Sequence, residues 1–485
     1  MTFVSVGQRR RISIFTIIVS LYAGIATAQP AMPTLGQGLM SGEVTENTVI
    51  LQARLTSEET DATGDLPGMR GVGRFEISTD RDFTRPIASQ WLTAESDYDY
   101  ILKAQLNGLK PATQYYYRLA YGPNQDNLRH SDTATFRTLA GKNITDAASF
   151  VVVTGMNYAF FHYGSDGKGK QVYTGDDKHL GFPALATIKM LKPDFFVGTG
   201  DNIYYDHPKE GRAETLPAMR KKWHEQLMQP RFVDLFRNVS TYWEKDDHDH
   251  RFNDNDNTGN KRPSSVLGID TFKEQVPVTD PTNPAALTYR THRINRDLQI
   301  WLVEGRDYRS PNKMPDGPDK TLWGAKQLAW LKRTLLESDA TFKILISPTP
   351  LIGPDDAYKT DNHVNHDGFR TEGDAFFAWL KNKDFLNKNF YLMCGDRHWQ
   401  YHSIHPSGFE EFSTGALVDA NSRLGRVPGD PKSTDPDAKV RQPYYQDPAS
   451  GGFVYVQVQP GTPAKLDFTF LDENGVVLYT HTKTQ

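Results

Sequence analysis

The sequence predicts an α/β domain preceded by a small all-β sandwich, and three observations carry that prediction. From about residue 35 to residue 138, short apolar runs alternate with turn residues. From Ala148 onward the pattern changes to strand-like runs alternating with helical ones. Three of those later strands end in acidic and histidine clusters, so one end of the sheet is dressed with metal-ligating groups.

In the first region, residues 48–55, 73–77 and 100–106 read as strands, and 131–138 as the last one. Between them, Leu109-Lys110-Pro111-Ala112-Thr113-Gln114-Tyr115 resembles the turn-and-strand corner of fibronectin type III-like sandwiches. The aromatic triplet Tyr115-Tyr116-Tyr117 then serves as sandwich core and tyrosine corner. In the second region, residues 149–153, 194–198, 298–303 and 342–346 read as buried strands. Residues 182–191 read as a helix stopped by Lys192-Pro193, with further helices over 215–228, 326–336 and 375–381. The tail, 452–458, 465–471 and 476–481, reads as a β-meander covering one edge, and no internal repeat is visible.

At the N-terminus, Arg9-Arg10-Arg11 precedes an apolar run to about Ile25 and the small residues Ala26-Thr27-Ala28. That order predicts an export signal over residues 1–28, removed after Ala28. The run is shorter than the ~20 residues a spanning helix needs, and no later stretch is apolar enough, so no membrane span is expected after removal. The expected divisions are therefore 1–28 signal peptide, 33–140 sandwich and 146–485 catalytic domain, in a secreted or periplasmic protein. A net charge of -4 gives no case for nucleic acid as a partner. Cys394 is the only cysteine, which excludes an internal disulfide and leaves core packing and bound metal to stabilise the fold.

The three clusters are Gly200-Asp201-Asn202-Ile203-Tyr204, Asp246-Asp247-His248-Asp249 and Gly395-Asp396-Arg397-His398. Gly198 and Gly200 permit a tight turn that presents Asp201, and Tyr204 lies within reach of the same ion. Asp246, Asp247 and His248 are adjacent and cannot all face one way; one carboxylate faces the metal, and His248 faces the substrate as acid or clamp. Asp396 and His398, two apart, fall on one side if the strand continues. Carboxylate, imidazole and phenolate together suit hard to borderline ions: iron, calcium, manganese or zinc.

These motifs, with Gly305-Arg306-Asp307-Tyr308-Arg309 and the helix start at Trp323-Gly324-Ala325-Lys326, resemble the alkaline phosphatase D-like branch of the calcineurin-like metallophosphoesterases. The resemblance implies a four-layer αββα fold and two or more metal ions. It also implies hydrolysis of phosphodiesters or phosphomonoesters by a metal-activated water or hydroxide. Carried over, Asp201 bridges two metals, Tyr204 binds an iron-like ion, Asp247 binds the second metal, His248 stands by the leaving group, and Asp396 and His398 complete the centre. Where the family usually has Cys-Asn after the first catalytic strand, this chain has Met156-Asn157. A thioether is a poor ligand for ferric iron, so the metal identity is open at this position, while Asn157 offers an amide oxygen. The Glu244-Lys245 insertion leaves the choice among Asp246, Asp247 and Asp249 open.

Further candidates lie nearby. His363 or His366 takes a metal or substrate role, Asn253 lends an oxygen from an acidic loop, and Arg306 offers a guanidinium fork to an anionic oxygen pair. Structural pairing of Arg306 and Arg309 with Glu304 or Asp307 is the competing expectation. The expected substrate is a small anionic ester on a nucleotide, lipid head group or sugar. Two alternatives stand beside it: a sulfate-ester hydrolase on the same centre, and a metal-dependent binding module without turnover.

Overall fold

In the structure, a computed structural model that describes residues 1–2, 31–164 and 172–485, alternation of side chains builds the layers. Along Ala148–Val153 and Phe195–Thr199, Phe150, Val152, Phe195 and Val197 face one core while Val151, Val153 and Phe196 face another. The same period of two runs through the second sheet. Ile300, Leu302, Ile344, Ile346 and Met393 enter the shared core; Trp301, Leu345 and Leu392 point outward under helices. The shared core lies between a nine-stranded and a seven-stranded sheet. Helices Pro183–Leu191, Leu216–Leu227 and Pro230–Phe236 cover one outer face, and Ala325–Glu337 and Arg370–Asn382 cover the other. The result is the α/β/β/α stack that the resemblance implies.

Within each sheet the central strands are parallel. Ala148–Val153, Phe195–Thr199 and Ser240–Glu244 run together in one. Leu298–Leu302, Phe342–Ser347, Phe390–Cys394 and Glu410–Thr414 run together in the other. The tail strands Gly452–Gln459, Lys465–Asp472 and Val477–Thr484 form the expected meander on one edge of the nine-stranded sheet. The last helix is longer than the sequence indicated, starting at Arg370, because Glu372 is buried by its bonds to backbone nitrogens of Leu322 and Trp323.

Leu51, Phe75, Tyr117 and Phe136 form a separate core inside the N-terminal β region. The Tyr115 hydroxyl accepts the backbone N–H of Lys110 at 2.9 Å, which fixes the turn as a tyrosine corner does. This region is fused to the rest at one point of the sheet, where Gly42 pairs in parallel with Thr241. Contacts hold Pro33–Gln485 together as one unit. A buried ionic latch reinforces the join. His224, on helix Leu216–Leu227, sits between Asp65 Oδ1 (2.7 Å) and Asp99 Oδ2 (2.6 Å), and Arg54 donates to Asp99 at 3.0 Å. Lys103 Nζ adds bonds to the carbonyls of Lys273, Glu274 and Val276 at a helix C-terminus. Among the described residues no helix is long and apolar enough to cross a membrane. The expected signal segment lies outside the described residues.

Candidate metal centre

The carboxyl ends of the parallel strands of both sheets open onto one cleft. Asp201 follows Phe195–Thr199, Asp246 follows Ser240–Glu244, Arg306 follows Leu298–Leu302, and Asp396 follows Phe390–Cys394. Two glycines set the spacing. A Cβ on Gly200 would stand 2.5 Å from the Asp246 Cβ, and one on Gly395 would stand 2.3 Å from the Thr199 carbonyl oxygen. Only bare backbone lets these three turns close on each other. Asp201 itself adopts φ 53 and Asp396 φ 57, the left-handed region that aims each carboxylate back over its strand end.

Around Asp201 the polar atoms converge. Tyr204 Oη donates to Asp201 Oδ2 at 2.9 Å, and His398 Nε2 lies 3.0 Å from the same oxygen. Asn421 Nδ2 donates to the Tyr204 hydroxyl at 2.8 Å, and Arg423 reaches His398 Nδ1. Asp201, Asp247 and His248 each offer a ligand atom within 4.8 Å of the others, and Asp247, Asp254 and Asp361 form a second such group. Asp247 belongs to both, so the two ion positions adjoin. Burial raises the Asp201 and Asp246 carboxyls well above their usual range, as does the charge of neighbouring carboxylates.

The arrangement fits bound cations. Asp201 Oδ1, Asp246 Oδ2, Asp396 Oδ2 and both oxygens of Asp361 are buried without a hydrogen-bond partner. Orphaned buried carboxylate oxygens cost several kcal/mol unless paired or coordinated, on the order of 1–3 kcal/mol each at least. Nearby cations hold other oxygens of the set: Arg306 Nε donates to Asp246 Oδ1 at 2.7 Å, and Lys359 Nζ to Asp254 Oδ1 at 3.0 Å.

The three adjacent acids divide their work as follows. Asp249 is consumed by structure: it accepts from the backbone N–H of Asp246 at 2.6 Å and from Asn202 Nδ2 at 2.6 Å. Asp247 takes the position shared by both ion groups, and Asp246 bridges Arg306 to the cleft. Lys245 of the insertion is fully buried and reaches Glu304 Oε2 at 2.6 Å, tying the strand end to the next loop. His248 Nδ1 lies 2.7 Å from Asp206 Oδ1, which orients the ring and leaves its other nitrogen to the cleft.

The structure places the other candidates as follows. Arg306 is fully buried, with Nη1 on the Asn255 carbonyl and Nε on Asp246; its partner is that acid, because Glu304 and Asp307 are held by Lys245. Asn157 spends its amide oxygen capping helix Tyr158–Tyr163 through Phe160 N (3.0 Å), and its nitrogen faces His207 Nδ1 (2.9 Å). Met156 packs in the outer apolar core. His363 is held by Glu372 at 2.9 Å against Trp323, and His366 is exposed; neither joins an ion group. Asn253 is exposed and contributes only its backbone N–H, to Asp206 at 3.0 Å. Asp396 and His398 do not share a side by strand alternation, because the strand ends at Cys394 and the chain turns at Asp396. His398 closes on Asp201, while Asp396 is faced by Lys359, Asp361 and Arg397.

Sequence reasoning does not pick out Asp206, Asp254, Asp361, Lys359 and Arg423. Asp206 lies two residues beyond Tyr204, the last residue of the first motif. Asp254 and Asp361 sit in the same polar loops as Asn253 and as His363 and His366, and nothing in the composition of those loops marks them.

The sequence profile of the PhoD-like phosphatase family matches residues 150–461, and that of the PhoD-like phosphatase N-terminal domain matches residues 22–140. Alkaline phosphatase D of Bacillus subtilis (strain 168) is 22% identical over 428 residues, covering 78% of this chain and 66% of the relative. The chain thus spans just under two thirds of that relative. Among solved structures, one of PhoD is similar with a TM-score of 0.69 and 18% identity, over 95% of this chain and 90% of that one. A purple acid phosphatase from yellow lupin (Lupinus luteus) seeds is similar with a TM-score of 0.59 and 13% identity, over 93% and 73%. At these identities the likeness is one of fold.

Proposed function

The chain belongs to the PhoD-like phosphatase family, and we propose that its cleft hydrolyses small phosphate esters with the help of two or more metal ions. The observation that carries this reading is the pair of adjoining groups, Asp201–Asp247–His248 and Asp247–Asp254–Asp361, whose carboxylates include oxygens buried without a partner. When bound, such ions activate water and neutralise charge on the attacked ester. Asp201 and Asp247 would hold them, together with carboxylates of Asp254, Asp361, Asp246 and Asp396 and with Tyr204 and His398 beside Asp201. The oxygen-rich donor set, with imidazole and phenol in the minority and Met156 packed in the apolar core, favours hard to borderline ions such as iron, calcium, manganese or zinc.

His248 is the group that hands a proton to the leaving oxygen. Asp206 holds its Nδ1 side, so the proton transferred is the one on Nε2. Arg306 is a positioning residue: it fixes Asp246 and keeps the second oxygen of that acid turned to the cleft. The division into a sandwich over 33–140 and a catalytic domain over 146–485 is part of this reading, supported by the separate apolar core of the first. Export is part of it too, supported by the basic, apolar and small-residue order of residues 9–28.

The test is hydrolysis of p-nitrophenyl phosphate, bis-p-nitrophenyl phosphate and p-nitrophenyl sulfate before and after chelation, with metal content measured alongside. Turnover of a phosphate ester that chelation removes and metal restores is expected. Turnover of the sulfate alone would transfer the site to sulfate esters. No turnover with any ester after adding iron, calcium, manganese or zinc would leave only a binding module. A second result separates the role of His248. Asp206→Asn is expected to lower kcat about tenfold to a hundredfold for alkyl phosphates, whose leaving group needs the proton. It should act far less on p-nitrophenyl phosphate, whose leaving group does not. Equal losses on both would remove His248 from proton transfer.

A further inference from the structure

A second set of metal-ligating side chains lies outside the cleft. His402, Glu410 and His481 each offer a ligand atom within 4.8 Å of the other two. His402 and Glu410 come from neighbouring strands of the seven-stranded sheet, Gln400–Ile404 and Glu410–Thr414. His481 comes from Val477–Thr484, the edge strand of the nine-stranded sheet. Glu410 begins a strand parallel to Phe390–Cys394, pairing with Tyr391 near that strand's start. The cluster is therefore at the opposite end of the sheet from Asp396.

Both imidazoles aim at one carboxylate oxygen: His402 Nε2 is 3.0 Å and His481 Nε2 3.2 Å from Glu410 Oε2. Behind them a single oxygen serves both rings. Tyr479 Oη lies 3.2 Å from His402 Nδ1 and 3.4 Å from His481 Nδ1. A phenol oxygen has two lone pairs, so it can accept an N–H from each ring. With both Nδ1 atoms protonated, each Nε2 carries a lone pair, the second-shell arrangement of metal-ligating imidazoles. Two Nε2 lone pairs facing a carboxylate repel it unless a cation stands between. If the protons sit on Nε2 instead, the one Tyr479 proton satisfies only one of the two Nδ1 atoms. Consistent with a missing partner, His481 Nε2 is buried without a hydrogen bond of acceptable geometry.

We propose that His402, Glu410 and His481 form a binding site for one divalent transition-metal ion of the zinc class, which ties the edge of one sheet to the other. The two imidazoles bind through Nε2. Glu410 binds through Oε2 alone, because Lys483 Nζ holds Oε1 at 2.5 Å. The His402 ring is stacked on Phe412 at 4.5 Å, and Phe412 on Phe468 at 3.9 Å, so the floor of the site spans both sheets and is rigid. The side chains of Glu410 and His481 are 14% and 26% exposed, which leaves an entry path and a fourth position for water. Imidazole-rich, three-ligand geometry differs from the carboxylate-rich cleft and selects a softer ion.

The test uses the full chain, stripped with a chelator and titrated with Zn2+ against a chromophoric competitor, for the wild type and His481→Ala. His481 is on a partly exposed edge strand, so the variant is expected to fold, as circular dichroism will check. The wild type is expected to bind one Zn2+ equivalent more than the variant, whose affinity at this site falls about a hundredfold. Co2+ loaded in its place is expected to give a tetrahedral visible band that the variant lacks, while hydrolysis in the cleft is unchanged. Equal Zn2+ stoichiometry in the two proteins, with no difference in the Co2+ band, would overturn the proposal.

Discussion

Asp201→Asn is expected to lower kcat/KM by about a thousandfold, some 4 kcal/mol of barrier, while leaving the protein folded. Asp201 is the point where the end of strand Phe195–Thr199, Tyr204 and His398 meet: Oδ2 takes both neighbours, and Oδ1 is buried with no partner. An amide keeps the volume but replaces one acceptor with a donor that faces the space a cation would fill. The metal content is expected to fall with the activity. Stability of the stripped protein should move the other way. Burial and the charges of Asp247, Asp246 and Asp249 press on Asp201, so an uncharged side chain relieves repulsion when no cation is present. Thermal unfolding of chelated wild type and variant checks this, with an equal or higher Tm expected for the variant. Retention of full activity by Asp201→Asn would remove it from the centre.

How far the sequence carried depends on what each residue is held by. The strand ends were legible because apolar runs such as Phe195-Phe196-Val197 stop abruptly at Gly-Asp, and a buried strand has one place to stop. Asp201, Tyr204, Asp247, His248 and His398 are read from the sequence for that reason, and the structure brings them side by side. Asn157 reads two ways, because an asparagine after a strand is equally a ligand and a helix cap, and the cap shows only once residues 158–163 form a helix. Arg306 misled for a similar reason. Its partner, Asp246, lies 60 positions earlier, and only the closing of two loops shows which acid it meets. Asp254 and Asp361 were invisible because each belongs to a polar loop whose path, not whose composition, brings it beside Asp247. The fusion of the sandwich to the large sheet through Gly42 and Thr241 has no sequence signal at all; it is one bridge between segments 199 residues apart in chain order.

The other large effect is expected far from the cleft, at the latch between the N-terminal region and helix Leu216–Leu227. His224→Ala is expected to destabilise the protein by about 3 kcal/mol near neutral pH, since removing one member of a buried ionic set leaves the others uncompensated. The set is well enclosed: the His224 side chain is 3% exposed and that of Asp99 6%. Burial alone would raise the Asp99 carboxyl; the His224 bond and charge and the Arg54 guanidinium outweigh it and hold Asp99 at about 2. Asp65 is lowered as well, burial again being overcome by His224. A carboxyl depressed from its usual value of 3.8 to about 2 contributes about 2 kcal/mol, by the linkage between pKa and folding. Because the folded pKa is the lower one, that stability is fully present above about pH 4 and drains away as pH falls toward 2. Removing His224 takes away much of it, so the gap between wild type and variant should be widest at pH 5–7 and narrow below pH 4. Urea unfolding across pH 2.5–7 measures this directly. A penalty that stays constant across that range would mean that His224 acts through packing and not through its two carboxylates; no penalty at all would mean that Arg54 and Lys103 hold the two regions together without it.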